Sequence, residues 1–158
     1  METAAWLCDA AVFVILIKIA WHDWRSYIIP HRYMALLAIA AAVGTAVGEM
    51  DLAAAAEGML FGFFIYACLF YLKKGMIGAG DVKLAAVLGF WLGWPLSAAA
   101  VYLSFISGGI AAIFCLLLQI KKRSDMLPFA PLMAFSAAIV YICGEALWQF
   151  WQAAVCGI

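Results

Sequence analysis

The chain has 158 residues, of which 70% are hydrophobic and only 11% charged, with nine basic and nine acidic side chains and a formal net charge of zero. A mean hydropathy of +1.09 is far above that of a water-soluble globule, whose apolar share is nearer half, so the composition predicts an all-α, polytopic membrane protein. Neutral charge without an extended basic run removes the electrostatic basis for nucleic-acid binding.

A helix that crosses a bilayer needs about 20 apolar residues. Six stretches are candidates, roughly 4–21, 33–48, 53–72, 82–94, 96–120 and 128–151, which together make one membrane domain over residues 1–158. Before the first, Met1-Glu2-Thr3 lacks the basic flank of a cleaved signal peptide, so that stretch is expected to remain as a helix. No soluble domain is expected at either end. The second and fourth stretches are short. The fourth has a glycine-rich entry and stops at Trp94-Pro95, which predicts a helix that crosses only part of the bilayer or borrows length from the preceding loop. Irregular backbone at that depth is tolerated only where protein or a watery cavity surrounds it, which points to a polar cavity near Asp81.

The bases fall in alternate turns: Arg25 and Arg32, then Lys73, Lys74 and Lys83, then Lys121, Lys122 and Arg123, with Lys18 one turn inside the first helix. The opposite turns carry Glu2, Glu49, Asp51 and Glu57. By the positive-inside rule both termini are predicted outside and three loops in the cytoplasm of a cell whose inner membrane holds the protein. An aromatic belt is expected to follow, with Trp21 and Trp24 at the inner interface and Trp6, Trp91, Trp94, Trp148 and Trp151 at the outer one.

On this map Asp23, in Trp21-His22-Asp23-Trp24-Arg25, and Asp81, in Gly78-Ala79-Gly80-Asp81, both lie at the cytoplasmic boundary in different loops. A carboxylate next to hydrocarbon is costly, which makes each a candidate functional group. Two acids held close together share a proton and split their apparent pKa values, so one can take a proton from water while the other hydrogen-bonds a carbonyl. The plainer alternative is that each is a solvated cap or half of an ion pair with Arg25, Lys83 or Lys18. Glycines at 78 and 80 would let an extended substrate backbone come close. His22 and His31 read as interfacial, since no Ser or Cys nucleophile of suitable spacing accompanies them. Cys8, Cys68, Cys115, Cys143 and Cys156 are scattered through apolar runs and read as small hydrophobes. Asp, Glu, His and Cys do not group with ligand spacing, so neither a metal nor a cofactor is expected.

Three blocks carry a family resemblance. The run from Gly75 through Gly78-Ala79-Gly80-Asp81-Val82-Lys83-Leu84, continuing to Gly89 and Gly93, resembles the GxGD block of the type IV prepilin peptidases, the A24 family of membrane aspartic proteases. Asp23 followed by Arg25 and Ile29-Pro30 resembles the first aspartate block of that family, and Leu127-Pro128-Phe129-Ala130-Pro131 resembles the entry to its last helix. The resemblance implies six helices, with Asp23 and Asp81 as the catalytic pair and Gly78, Gly80, Lys83, Pro30, Pro128 and Pro131 around the active-site loops. It also implies a substrate with a short basic cytoplasmic leader, a glycine at the cut and a hydrophobic helix already in the lipid bilayer. His31 stands where an Asn is frequent, and Ala130 where a Gly is common. Larger bacterial members add a cytoplasmic domain with paired C-x-x-C motifs associated with N-methylation, and this chain has no such pair. The expectation is a peptidase without methyltransferase activity, similar to the short members found with Tad/Flp-type pili.

Three other readings remain open. A presenilin or signal-peptide-peptidase type protease shares the GxGD element, but carries its first acid inside a helix after a Tyr, unlike Trp21-His22-Asp23. A small transporter or proton channel would use Asp23 and Asp81 as protonatable sites, and would favour inverted repeats and midplane acids. A silent scaffold for a pilus machine would not need intact acids. The oligomeric state is not legible.

Overall fold

A computed structural model describes residues 2–48, 50–72, 77–118 and 128–156. Six α-helices and no strand occur among the described residues: α1 (Glu2–Ser26), α2 (His31–Val47), α3 (Leu52–Leu72), α4 (Ala79–Leu92), α5 (Leu96–Leu117) and α6 (Ala130–Cys156). Each coincides with one of the six apolar stretches, because a run of apolar residues without breakers satisfies its backbone internally only as a helix. Lys73, Lys74, Lys121, Lys122, Arg123, Glu49 and Leu127 lie outside the described residues, as do Gly75 and Met76 of the glycine-rich run.

Two helices, α3 and α5, are long and apolar enough to cross a membrane by length and composition. Only 22% and 11% of their most apolar windows are buried inside the bundle, so most of this apolar surface faces outward, opposite to the core helix of a soluble protein. The short α4 differs. It packs against α2, α3, α5 and α6, and Asp81, Val82, Leu84, Ala85, Leu88, Gly89, Trp91 and Leu92 are all buried. Its 14 residues amount to about 21 Å, short of a bilayer core of about 30 Å. Its C-terminal end, from Trp91 to Gly93, is buried among its neighbours, while Gly78 and Ala79 at its start are exposed.

Close approach of α3 to α4 rests on small residues four apart on each helix. A Cβ at Gly58 would lie 2.3 Å from the Gly89 carbonyl oxygen, one at Gly89 would lie 2.1 Å from that of Gly58, and one at Gly62 would lie 2.5 Å from that of Ala85. No side chain fits at these three contacts, and the two backbones touch directly, as in other small-xxx-small helix pairs. At its far end α4 stops at Gly93, whose φ of 68° suits glycine. The next residue, Trp94, donates its N–H to the Ala54 carbonyl at 2.9 Å and ties the turn to α3.

Trp6, Trp21, Trp24, Trp94 and Trp148 are exposed, whereas Trp91, also expected at the outer interface, is 4% exposed and packs inside the bundle. Packing of α4 against four neighbouring helices turns its tryptophan into a core residue. The side chain of Trp151 lies outside the described set.

Candidate active site

Asp23 lies in the last turn of α1 and is 5% exposed. The helix ends just beyond it. Tyr27 adopts a left-handed φ of 55° while donating its N–H to the Asp23 carbonyl at 2.9 Å, which closes the last turn and redirects the chain. His22 then secures the turn. Its Nδ1 is 3.1 Å from the Ile28 carbonyl oxygen and 2.7 Å from Ser26 Oγ, and since a carbonyl only accepts, Nδ1 carries the proton. Pro30 follows in an extended conformation and starts α2, its carbonyl accepting from Tyr33 and Met34. His22 is therefore a brace for the loop that presents Asp23, a role beyond the interfacial one expected.

That loop reaches α4 through Ile29. A Cβ at Gly80 would sit 3.3 Å from Ile29 Cδ1 and 3.4 Å from Ile29 Cβ. The bare backbone at 80 thus admits the protein's own Ile29, where the sequence suggested room for a substrate strand. Gly78 has a different duty. Its N–H donates to Asp81 Oδ2 at 3.0 Å, and a Cβ there would crowd the same oxygen at 3.3 Å. Asp81, third residue of α4, consequently folds back over the helix start as the acidic half of a capping box.

The third block closes the site. Pro128 and Ala130 are buried and Phe129 and Pro131 partly so. The N–H of Ala130, first residue of α6, donates to Asp23 Oδ2 at 3.2 Å. A carboxylate of α1 thereby satisfies one of the orphan donors at the start of α6. Phe129 sits at ring-centroid distances of 5.9 Å from Phe105 and 6.0 Å from Tyr66. A Cβ on Gly108 would meet the Phe129 ring at 2.7 Å, so α5 also has bare backbone under this entry.

Both acids lie beyond the ends of the apolar spans. Burial lifts the carboxyl of Asp81 from 3.8 to about 6 against the lowering effect of the Gly78 N–H, and the negative charge of Asp23 adds to the rise. Asp23 is raised as well, again by burial, while the Ala130 N–H and the neighbouring His22 oppose it. Burial thus acts in the same direction on both carboxyls, and each keeps one backbone N–H as a hydrogen-bond donor.

Among the described residues no salt bridge reaches either acid. The guanidinium of Arg25 lies over the Trp21 ring at 4.5 Å and that of Arg32 over Tyr33 at 4.9 Å, while Lys18 and Lys83 are exposed. Lys83, expected near the active-site loop, lies in the first turns of α4 two residues from Asp81, with its side chain exposed. Pro30 and Pro131 shape helix entries beside the acids.

Two residues escaped the sequence reading. Tyr66 of α3 is 1% exposed, holds its hydroxyl 2.6 Å from Ser104 Oγ, stacks on Phe105 at 5.3 Å and lies within electrostatic reach of Asp81. Its signal was a phenol in the middle of an apolar span. Asp9 is an acid inside the first apolar stretch, which the same cost argument that singled out Asp23 and Asp81 would have flagged. Beside Asp23, α1 and α6 enclose an apolar cleft of about 600 Å³ lined by Trp21, Trp24, Ala20, Pro131, Ala134 and Phe135 among others.

Comparison with known proteins identifies the family. Residues 10–116 match the model of the type IV leader peptidase family, a span that takes in Asp23 and Asp81. A prepilin leader peptidase/N-methyltransferase of Bacillus subtilis (strain 168) is 31% identical over 147 residues, covering 92% of this chain and 59% of that protein. Proteins of the same name from Aeromonas salmonicida (strain A449) and Pseudomonas aeruginosa are 31% and 32% identical over 114 and 96 residues, covering 68% and 57% of this chain and 39% and 33% of theirs. The chain therefore spans between about a third and three fifths of the length of these curated relatives. No solved structure matches it. With two buried acids at the ends of separate helices, and a family match running through both, the chain belongs to the type IV leader peptidase family.

Proposed function

We propose that this chain is a membrane aspartic endopeptidase that removes the short basic leader from type IV prepilin-like precursors, cutting after a glycine at the cytoplasmic face of the inner membrane. The observation that carries the reading is the pair of buried carboxyls on separate helices, each fixed by one backbone N–H and both pushed upward. Asp23, ionised, takes a proton from the attacking water, and Asp81, protonated, hydrogen-bonds the scissile carbonyl as its oxygen gains charge. Collapse of the tetrahedral intermediate returns a proton to the leaving amine and regenerates the shared-proton state.

Six spans with both termini outside, and an active site facing the cytoplasm, follow from the lysine and arginine distribution. The apolar cleft beside Asp23 supports a substrate whose own helix already lies in the lipid. The names of the relatives include N-methyltransferase activity, and the proposal for the residues in hand is confined to the peptidase.

Asp23→Asn and Asp81→Asn should each abolish trimming of a co-expressed prepilin, with Arg32→Gln close to wild type. Trimming at normal rate by either Asn variant refutes the dyad. A cysteine at Asp51 should react with an impermeant thiol reagent from outside and one at Ser124 should not, whereas the reverse pattern puts the acids on the wrong side for a cytoplasmic leader. Proton flux in liposomes that disappears in the same Asn variants, without any proteolysis, would establish the channel reading instead.

A further inference from the structure

The acid that the catalytic pair leaves unused is Asp9, in the first turns of α1. Its Oδ1 accepts the indole N–H of Trp91 at 2.9 Å, and its Oδ2 accepts the hydroxyl of Tyr141. The two donors stack on each other at 4.7 Å and 12°. Phe13, one turn along α1, meets both rings edge-on at 5.5 and 5.4 Å. A carboxylate in an apolar bundle is costly to keep, and a hydrophobe would fill the space more cheaply. What it offers that a hydrophobe does not is two acceptors in fixed directions, one for each neighbouring helix.

The helices so joined are α1, α4 and α6, the three that carry Asp23, Asp81 and the N–H of Ala130. On α1, Asp9 precedes Asp23 by fourteen residues, which is about four turns, and on α6, Tyr141 follows Ala130 by eleven, about three turns. On both helices the clasp therefore lies on the same side as the active-site group, roughly 16–21 Å away along the axis. On α4, Trp91 and Asp81 are ten residues apart and both buried.

We propose that Asp9 is a positioning residue, whose carboxylate fixes the rotational setting of α1 against α4 and α6 and so sets how Asp23 meets Asp81 and the start of α6. Its catalytic consequence rests on the peptidase reading above. Side chains extend about 5–6 Å from a helix axis, so a turn of roughly 10° about α1 displaces the Asp23 carboxyl by about 1 Å. Displacements of that size cost on the order of 10²-fold in rate.

The test combines activity with a readout that needs none. Asn at position 9 has one acceptor oxygen and presents an NH₂ to the second donor, so Asp9→Asn should lower kcat per folded molecule by about 10- to 100-fold with KM within about twofold. Trp91→Phe and Tyr141→Phe each delete one donor, and should lower kcat by roughly 3- to 10-fold. In all three the two limbs of the pH–rate profile should move closer together, because separated acids couple less. Independently, with the five native cysteines replaced by alanine, Ile29→Cys with Gly80→Cys should form a disulfide readily, since the Cβ at 80 would be 3.4 Å from that of residue 29. Adding Tyr141→Phe or Asp9→Asn should slow that cross-link several-fold. Unchanged cross-linking, limbs and kcat per folded molecule, with at most a lower Tm, overturns the proposal and leaves Asp9 a plain structural contact. If Asp9→Asn does not fold, the two Phe variants decide. Should the unmodified protein cleave no prepilin, the peptidase reading fails while the cross-linking arm still decides whether Asp9 sets the approach of the two loops.

Discussion

Removing the charge from Asp81 should make the protein more stable at neutral pH while silencing it. The carboxyl is 9% exposed, and its pKa stands at about 6 against an ordinary 3.8. A difference of roughly two units is worth about 3 kcal/mol. Because the folded state holds this proton more tightly than the unfolded chain, the associated stability is fully present below about pH 4. It declines as pH rises through 6, and above pH 7 the ionised group opposes folding by the whole amount. Asparagine stays neutral throughout, and its Oδ1 can accept the same N–H of Gly78 that Asp81 Oδ2 accepts. Asp81→Asn should therefore match the parent near pH 4 and exceed it by about 3 kcal/mol at pH 7.5, on the order of 6–12 °C in Tm for a chain of this size. Thermal unfolding of purified protein in detergent micelles, followed by tryptophan fluorescence at pH 4, 5, 6 and 7.5, measures the difference. An Asn variant no more stable than the parent at pH 7.5, or one whose advantage does not change with pH, would refute the claim that burial raises the pKa of this carboxyl. Stability gained with trimming lost is the expected mark of a strained catalytic group.

Three further outcomes follow from the packing. Gly89→Val drives a side chain against the Gly58 carbonyl, where even a Cβ has only 2.1 Å, so α3 and α4 must part at a cost of about 2–4 kcal/mol, read as a lower Tm or loss of folded protein. Asp23→Asn keeps an acceptor for the Ala130 N–H whereas Asp23→Ala removes it; both should be inactive, and the Ala variant should be less stable than the Asn variant by about 1 kcal/mol in the same melting assay. Ser97 Oγ is buried without a hydrogen-bond partner among the described residues, so Ser97→Ala should raise stability by about 1 kcal/mol. A clear loss there would reveal a bound water at that oxygen.

Much of this protein was legible in its sequence. Six helices could be drawn, with ends up to five residues off, because each is a local event: an apolar run must close its own hydrogen bonds, and Pro30 and Gly78 mark where two of the helices begin. The two acids and the glycine-rich block stood out for the same kind of reason, as costly or unusual groups in an apolar chain. What only the tertiary structure decided was which neighbour each group meets. Placing the short α4 at the centre buried Trp91, which hydropathy alone assigns to a membrane interface, and left Lys83 outside, although it is two residues from Asp81. It also gave the bare backbone of Gly80 to Ile29, from a loop some fifty residues earlier. Asp9 was open to the same cost argument, but what it holds, Trp91 and Tyr141, lies on helices 82 and 132 residues away. Helix formation is written in nearest neighbours along the chain. The meeting of three loops around Asp23 and Asp81 depends on how whole helices pack, a property that no local stretch of sequence contains.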